Sequence, residues 1–182
     1  KGVMLTHDNM LRNAACIARR CDCRRGDRYF SARPFYHVAG STLSLLAALT
    51  SGACLSSTPT FDAGEALRVM SEEKCTLTSG NDTMFLMQLN HPDFDKYPLT
   101  LRGGWVSCGA EVTRQIIDRM GMRGVSQAYG LSEASPNVCM SHHTDDIEKR
   151  IDGWAHLLDD LEVRIVDPAS GANLARGGAH HT

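Results

Sequence analysis

The sequence predicts an α/β protein, a mostly parallel sheet flanked by helices, on three observations. Segments of strand and helix character alternate from residue 9 to residue 128. The helical segments at 9–20, 63–73 and 83–89 each begin beside a side chain able to cap them, and the first two carry apolar residues at helical spacing. After Gly130 the alternation stops, and strand-like segments follow one another without helices between them. Alternation is the mark of parallel strands joined by right-handed helical crossovers. Its loss predicts a more antiparallel end.

Thr6 or Asp8 can cap a helix over 9–20, with Met10, Ala14, Ile17 and Ala18 on one side. Residues 27–32 read as a strand, 37–50 as a Leu- and Ala-rich helix stopped by Gly52, and 53–57 as a strand. Asp62 caps a helix over 63–73 carrying Ala66, Leu67 and Met70 on one face, and 75–78 is a short strand. Asn81 or Asp82 caps 83–89, where Pro92 forbids continuation. A strand at 101–108, a helix at 112–120 and a strand at 125–128 complete the series. Strands at 137–141 and 161–166 follow, with a turn at Asp167-Pro168-Ala169-Ser170-Gly171. The expected division is an α/β portion over 1–150 and the beginning of a β-rich subdomain over 151–182.

A chain of 182 residues suffices for one domain or a large part of a bigger one. Its hydrophobic fraction of 42% and charged fraction of 22% are those of a folded protein and argue against disorder. A net charge of −2 gives no reason to expect nucleic acid as a partner. The longest apolar run, at 43–49, is too short for a transmembrane segment and contains Ser44. An opening at Lys1-Gly2-Val3 and a loop-like close at Gly177-Gly178-Ala179-His180-His181-Thr182 read as an internal fragment. Seven cysteines, an odd number, suit free thiols in a reducing, cytoplasmic setting. Cys16, Cys21 and Cys23 cluster, but Cys21-Asp22-Cys23 has one intervening residue where zinc units usually have two or more.

Ligands of open parallel sheets bind beyond the carboxyl ends of the strands. Two such stretches stand out. In Tyr129-Gly130-Leu131-Ser132-Glu133, the ring of Tyr129 can stack on a base and Gly130 permits close approach or positive φ. Ser132 offers a hydroxyl for a phosphate oxygen, and Glu133 a carboxylate suited to Mg²⁺, which needs only one or two such groups beside substrate phosphates. In Ser107-Cys108-Gly109-Ala110-Glu111, Gly109 leaves room for a planar ligand and the free amides at a helix start can contact it. A third stretch, Phe35-Tyr36-His37-Val38-Ala39-Gly40, sets His37 between a strand and a helix, where an imidazole serves either structure or chemistry. Each stretch is equally compatible with an ordinary turn. No Gly-x-Ser-x-Gly elbow, Gly-x-Gly-x-x-Gly or complete phosphate loop is present, which disfavours those hydrolases and nucleotide folds.

In order, these segments resemble the adenylate-forming superfamily, most nearly its fatty-acyl and other acid–CoA ligases. Lys1-Gly2-Val3 with Thr6-His7 resembles the tail of its phosphate loop, and Pro34-Phe35-Tyr36-His37 its aromatic–His motif. Ser107-Cys108-Gly109-Ala110-Glu111 resembles the adenine turn, and Tyr129-Gly130-Leu131-Ser132-Glu133 the Tyr-Gly-x-Thr-Glu signature, with Ser132 for Thr. Asp152-Gly153-Trp154 and 161–168 resemble the approach to a barrel-like subdomain, although Ala155 stands where Pro is common.

The resemblance implies an enzyme that adenylates a carboxylic acid, a fatty acid in the nearest groups, and passes the acyl group to coenzyme A. The alternatives are delivery to a carrier protein, or a non-catalytic role for the isolated piece. It implies ATP and Mg²⁺, with Tyr129 and Gly130, and Gly109, Ala110 and Glu111, around adenine and ribose. Ser132 would meet phosphate, Glu133 the metal, His37 the acid, and Lys1 the end of the phosphate loop. The rest of that loop would precede residue 1, and the hinge and catalytic lysine would follow residue 182.

Overall fold

The computed structural model describes residues 2–159 and 161–174. Among these, eight strands form one sheet: β1 (Arg28–Phe30), β2 (Cys54–Ser56), β3 (Leu77–Thr78), β4 (Gly80–Asn81), β5 (Gly103–Ser107), β6 (Gly124–Gly130), β7 (Asn137–Met140) and β8 (His156–Leu157). Their order is β2-β1-β3-β5-β6-β7-β8, with β4 also on β5. Pairing is parallel from β2 through β6 and antiparallel for β6–β7 and β7–β8. The change falls where the alternation of the sequence ends.

Local rules account for the helices. Thr6 caps α1 (His7–Arg20) by accepting the Asn9 amide at 3.1 Å, while Asn9 returns a bond to the Thr6 backbone. Asp62 caps α4 (Ala63–Glu72) and Asn81 caps α5 (Asp82–Leu89). The helix expected over 37–50 is composite: α2 (Val38–Gly40), a π-helical stretch (Ser41–Leu46) and α3 (Ala47–Ser51), ended by Gly52 in the left-handed conformation. Beyond α6 (Ala110–Met120), a short α7 (Ile147–Ile151) had no periodic signal in the sequence; Asp146 caps it with one oxygen on the amides of Glu148 and Lys149. The strand expected over 161–166 is replaced by a single bridge, Val166 to Asn173.

Because successive strand side chains point to opposite faces, the sheet builds two cores. Phe30, Val106 and Val125 pack with α4, α5 and α6. Tyr29, Leu77 and Trp105 pack with α1, the π-helical stretch and α3. The central strand runs very close to its neighbour. Gly104 has φ +132°, and any Cβ there would collide with the carbonyl oxygen of Thr78.

At the amino ends of the strands, buried Asp27 gathers several donors. It accepts from Arg102 Nη2 at 2.6 Å and Nε at 3.2 Å, Thr76 Oγ1 at 2.7 Å and the Arg24 amide at 2.9 Å. Burial works to raise its pKa, but the bonds from Arg102, Thr76 and Arg24 outweigh it and hold the carboxyl below its ordinary value. A depressed folded-state pKa contributes stability above the unfolded value that is lost as pH falls through the folded one.

Two outcomes are expected in urea denaturation. Gly104→Ala lowers stability by about 3 kcal/mol or more, combining a left-handed φ with a backbone collision. Asp27→Asn lowers stability at neutral pH and removes part of the decline seen in the parent protein on acidification below the normal carboxylate range.

Candidate active site

Parallel pairing sends the carboxyl ends of β1, β5 and β6 to one edge of the sheet. The register Val106↔Gln127 sets the segment after β5 beside the end of β6 and the turn that follows it. Gln127 fastens them. Its Nε2 donates to the Cys108 carbonyl at 2.9 Å and Thr113 Oγ1 at 2.9 Å, and its Oε1 accepts the Cys108 amide at 3.4 Å. Burial pushes the Cys108 thiol up to about 12, so it is a neutral packing group and no nucleophile.

Alternation along β6 divides the predicted site between two faces. Tyr129 shares the face of Val125 and Gln127, toward α6, and its ring is 65% exposed. Gly109, Ala110 and Glu111 start α6 on that face and are exposed. One expectation is corrected: the Gly109 amide is not free but donates to Asp82 Oδ1 at 3.0 Å, which fixes the turn. Glu111 accepts from Gln115 one helical turn on, at 3.0 Å.

On the other face lies a cavity of about 290 Å³, lined among others by Arg33, His37, Trp105, Ala128, Gly130 and Ser132. His37 caps α2, its Nδ1 accepting the Ala39 amide at 3.1 Å. The neutral ring therefore carries its proton on Nε2, as a donor. Capping through Nδ1 therefore leaves Nε2–H open for another partner. Above the cavity, the Leu43 carbonyl accepts both the Tyr29 hydroxyl and the Trp105 indole N–H, each at 3.2 Å. The guanidinium of Arg33 lies 5.0 Å from the Trp105 ring centroid.

Gly130 has a steric reason. A Cβ would strike the Pro136 carbonyl oxygen and come within 2.8 Å of the Asn137 Cα, where a register shift at 129–130 folds the chain back. It is required by close approach, since its φ is not positive. Ser132, Glu133 and Ala134 form a 3-10 turn on the rim. Ser132 borders the cavity, whereas Glu133 borders a neighbouring groove with Asp8, Asn13 and Asp159. Among the described residues, neither the Ser132 hydroxyl nor the Glu133 carboxylate makes a hydrogen bond or ion pair. Lys1 lies outside the described residues.

Sequence reasoning missed Gln127, Asp82 and Arg33. The first two work through backbone groups and have no motif, and the third stands before Pro34 in a stretch read for its histidine.

A base-sized aromatic surface on one side of a sheet edge, and a cavity with hydroxyl, imidazole and guanidinium on the other, stand where α/β domains place their ligands. The chain belongs to the AMP-binding enzyme family, whose model matches residues 1–179. It is 40% identical over 181 residues to a Bacillus subtilis (strain 168) protein named "Putative acyl-CoA synthetase YngI", covering 97% of this chain and 33% of that one. It is 33% identical over 180 residues to the mitochondrial medium-chain acyl-CoA ligase ACSF2 of Mus musculus, covering 94% and 29%. The chain therefore spans about a third of the length of these relatives. In fold it is similar to ATP-bound MatB from Rhodopseudomonas palustris, with TM-score 0.81, 24% identity, and 97% of this chain and 35% of that one covered. It is likewise similar to the O-succinylbenzoate coenzyme A synthetase MenE of Bacillus subtilis in complex with ATP and magnesium, with TM-score 0.78, 20% identity, and 96% and 36% covered.

Replacing Gln127 by Ala leaves the Cys108 carbonyl and Thr113 hydroxyl without their shared donor. Denaturation should show a loss of about 2–3 kcal/mol, and amide exchange should quicken at 107–111 before it does in β1.

Proposed function

We propose that this chain is the nucleotide- and acyl-binding portion of an AMP-forming acid–CoA ligase. The observation that carries the reading is the turn at 132–134, which offers an unengaged hydroxyl and an unengaged carboxylate at the carboxyl edge of a parallel sheet. Such groups suit ATP and Mg²⁺: a hydroxyl for a phosphate oxygen and one hard carboxylate for a metal that keeps its other sites for water and phosphate.

In this reading Tyr129, with the turn at Gly109, Ala110 and Glu111, receives adenine and ribose on the α6 face. Ser132 donates to phosphate, and Glu133 holds Mg²⁺, which when bound supplies positive charge against the phosphates. His37 donates Nε2–H to an oxygen of the acid and orients it. The other carboxylate oxygen attacks the α-phosphorus, and the bond to pyrophosphate breaks. The thiol of coenzyme A then attacks the acyl carbon and AMP departs.

The fatty character of the acid follows the resemblance of Leu131-Ser132-Glu133-Ala134-Ser135-Pro136 to fatty-acyl ligases. Seven free thiols support a reducing location, cytoplasmic in this reading. A β-rich subdomain beginning near residue 151 belongs to the same proposal.

Glu133→Ala in the full-length ligase should reduce acid-dependent pyrophosphate release by at least a hundredfold, about 2.7 kcal/mol or more in the barrier, while the fold and its melting temperature persist. Unchanged pyrophosphate release removes Glu133 from the site.

A further inference from the structure

Arg33 is the charged side chain of the cavity that the proposed reaction does not use. Its Nε is fully buried and has no hydrogen-bond partner. Among the described residues it has no ion pair, and its guanidinium lies over the face of Trp105, 5.0 Å from the ring centroid. The ring attracts the cation but accepts none of its planar fork of N–H donors. Burial lowers the pKa of Arg33, as expected of a guanidinium drawn from water without a carboxylate beside it. By contrast, the half-buried Arg102 reaches Asp27 and Asp22, and the buried Arg150 donates to the carbonyls of Arg123, Val125 and Asp145. A desolvated charge without such partners is costly unless an anion completes it. The cavity it lines is where that anion would come from.

Position narrows which anion. Arg33 follows β1, and β3 and β5 separate β1 from β6 in the sheet. Its guanidinium lies over the ring of Trp105 on β5, whereas Ser132 follows β6. Both line the same cavity, with Val38, Leu43 and Ala128 as apolar members of its wall and Asn81, Ser107 and Asn137 as polar ones. Phosphate bound at Ser132 and an anion bound at Arg33 are thus two occupants of one cavity.

We infer that Arg33 receives a second anionic group of the acyl substrate, so that the preferred acid is a short one carrying a carboxylate at its far end. This deepens the acid–CoA ligase reading and rests on it. Among the acids open to that reading it favours a dianionic one over a plain alkyl chain, because an alkyl tail would leave the buried Nε of Arg33 without a partner.

The test is acid-dependent pyrophosphate release by the full-length ligase with succinate and glutarate against butyrate and valerate. The expectation is a clear preference for the diacids. Arg33→Met should lower kcat/KM for the diacids roughly tenfold to a hundredfold, the worth of a charge-assisted hydrogen bond. The monoacids should be unchanged or improved, and the KM for ATP unchanged. Arg33→Lys, which keeps the charge but loses the fork, should retain part of the diacid preference, and its ATP binding by calorimetry reports an intact fold. Equal losses for both classes of acid, or a raised KM for ATP, would mean that Arg33 holds the reacting carboxylate or the phosphates, and would overturn the inference. Turnover of monoacids with no preference for diacids overturns it too and leaves the ligase reading standing. Release with octanoate alone overturns the inference and leaves the ligase reading standing, whereas no release with these acids or with octanoate overturns both.

Discussion

The backbone carbonyl of Leu43 holds the cavity face of this molecule together. Tyr29 on β1 and Trp105 on β5 point to the same face of the sheet, and both donate to this one oxygen. The acceptor lies within residues 41–46, which are wound as a π-helix. A single carbonyl with two lone pairs therefore locks a helical segment onto two strands. The placement of His37 at the start of that helix, and of Trp105 beneath Arg33, depends on it.

The remainder of the edge is fixed by contacts of a different kind. Gly104 lets β5 press against the Thr78 carbonyl, and Gly130 lets the chain fold back over Pro136. Gln127 then ties the turn after β5 to β6, and Asp82 ties the start of α6 to α5. Loops that carry chemistry on α/β scaffolds must be held by the scaffold, since their own side chains are committed to ligands. Here the holding is done by a buried amide, a capping-turn carboxylate and two glycines.

Much of the fold was legible in the residues, because caps and periodicity are local signals. Thr6, Asp62 and Asn81 each start a helix as their side-chain chemistry requires, and Gly52 ends one. The π-helical stretch was not legible: Leu- and Ala-rich sequence suits both windings, and tertiary demand from Tyr29 and Trp105 decides. α7 was missed because five residues carry too little period to be seen, and its support comes from Asp146 and from Arg150 bonding distant carbonyls. At the candidate site, the motif segments come together at the carboxyl edge of the sheet, but whether an amide there is free depends on Asp82, 27 residues away, which no local pattern reports.

The split of the edge into two faces has a consequence for how such a molecule can diversify. Tyr129 and Ala128 are neighbours in sequence, yet one lies on the face of α6 and the other lines the cavity. In the reading proposed above, inherited changes on the helical layer of α1 to α3 would retune the choice of acid while leaving the nucleotide grip untouched. The pleat of one strand would then insulate the part that must stay constant from the part that is free to drift.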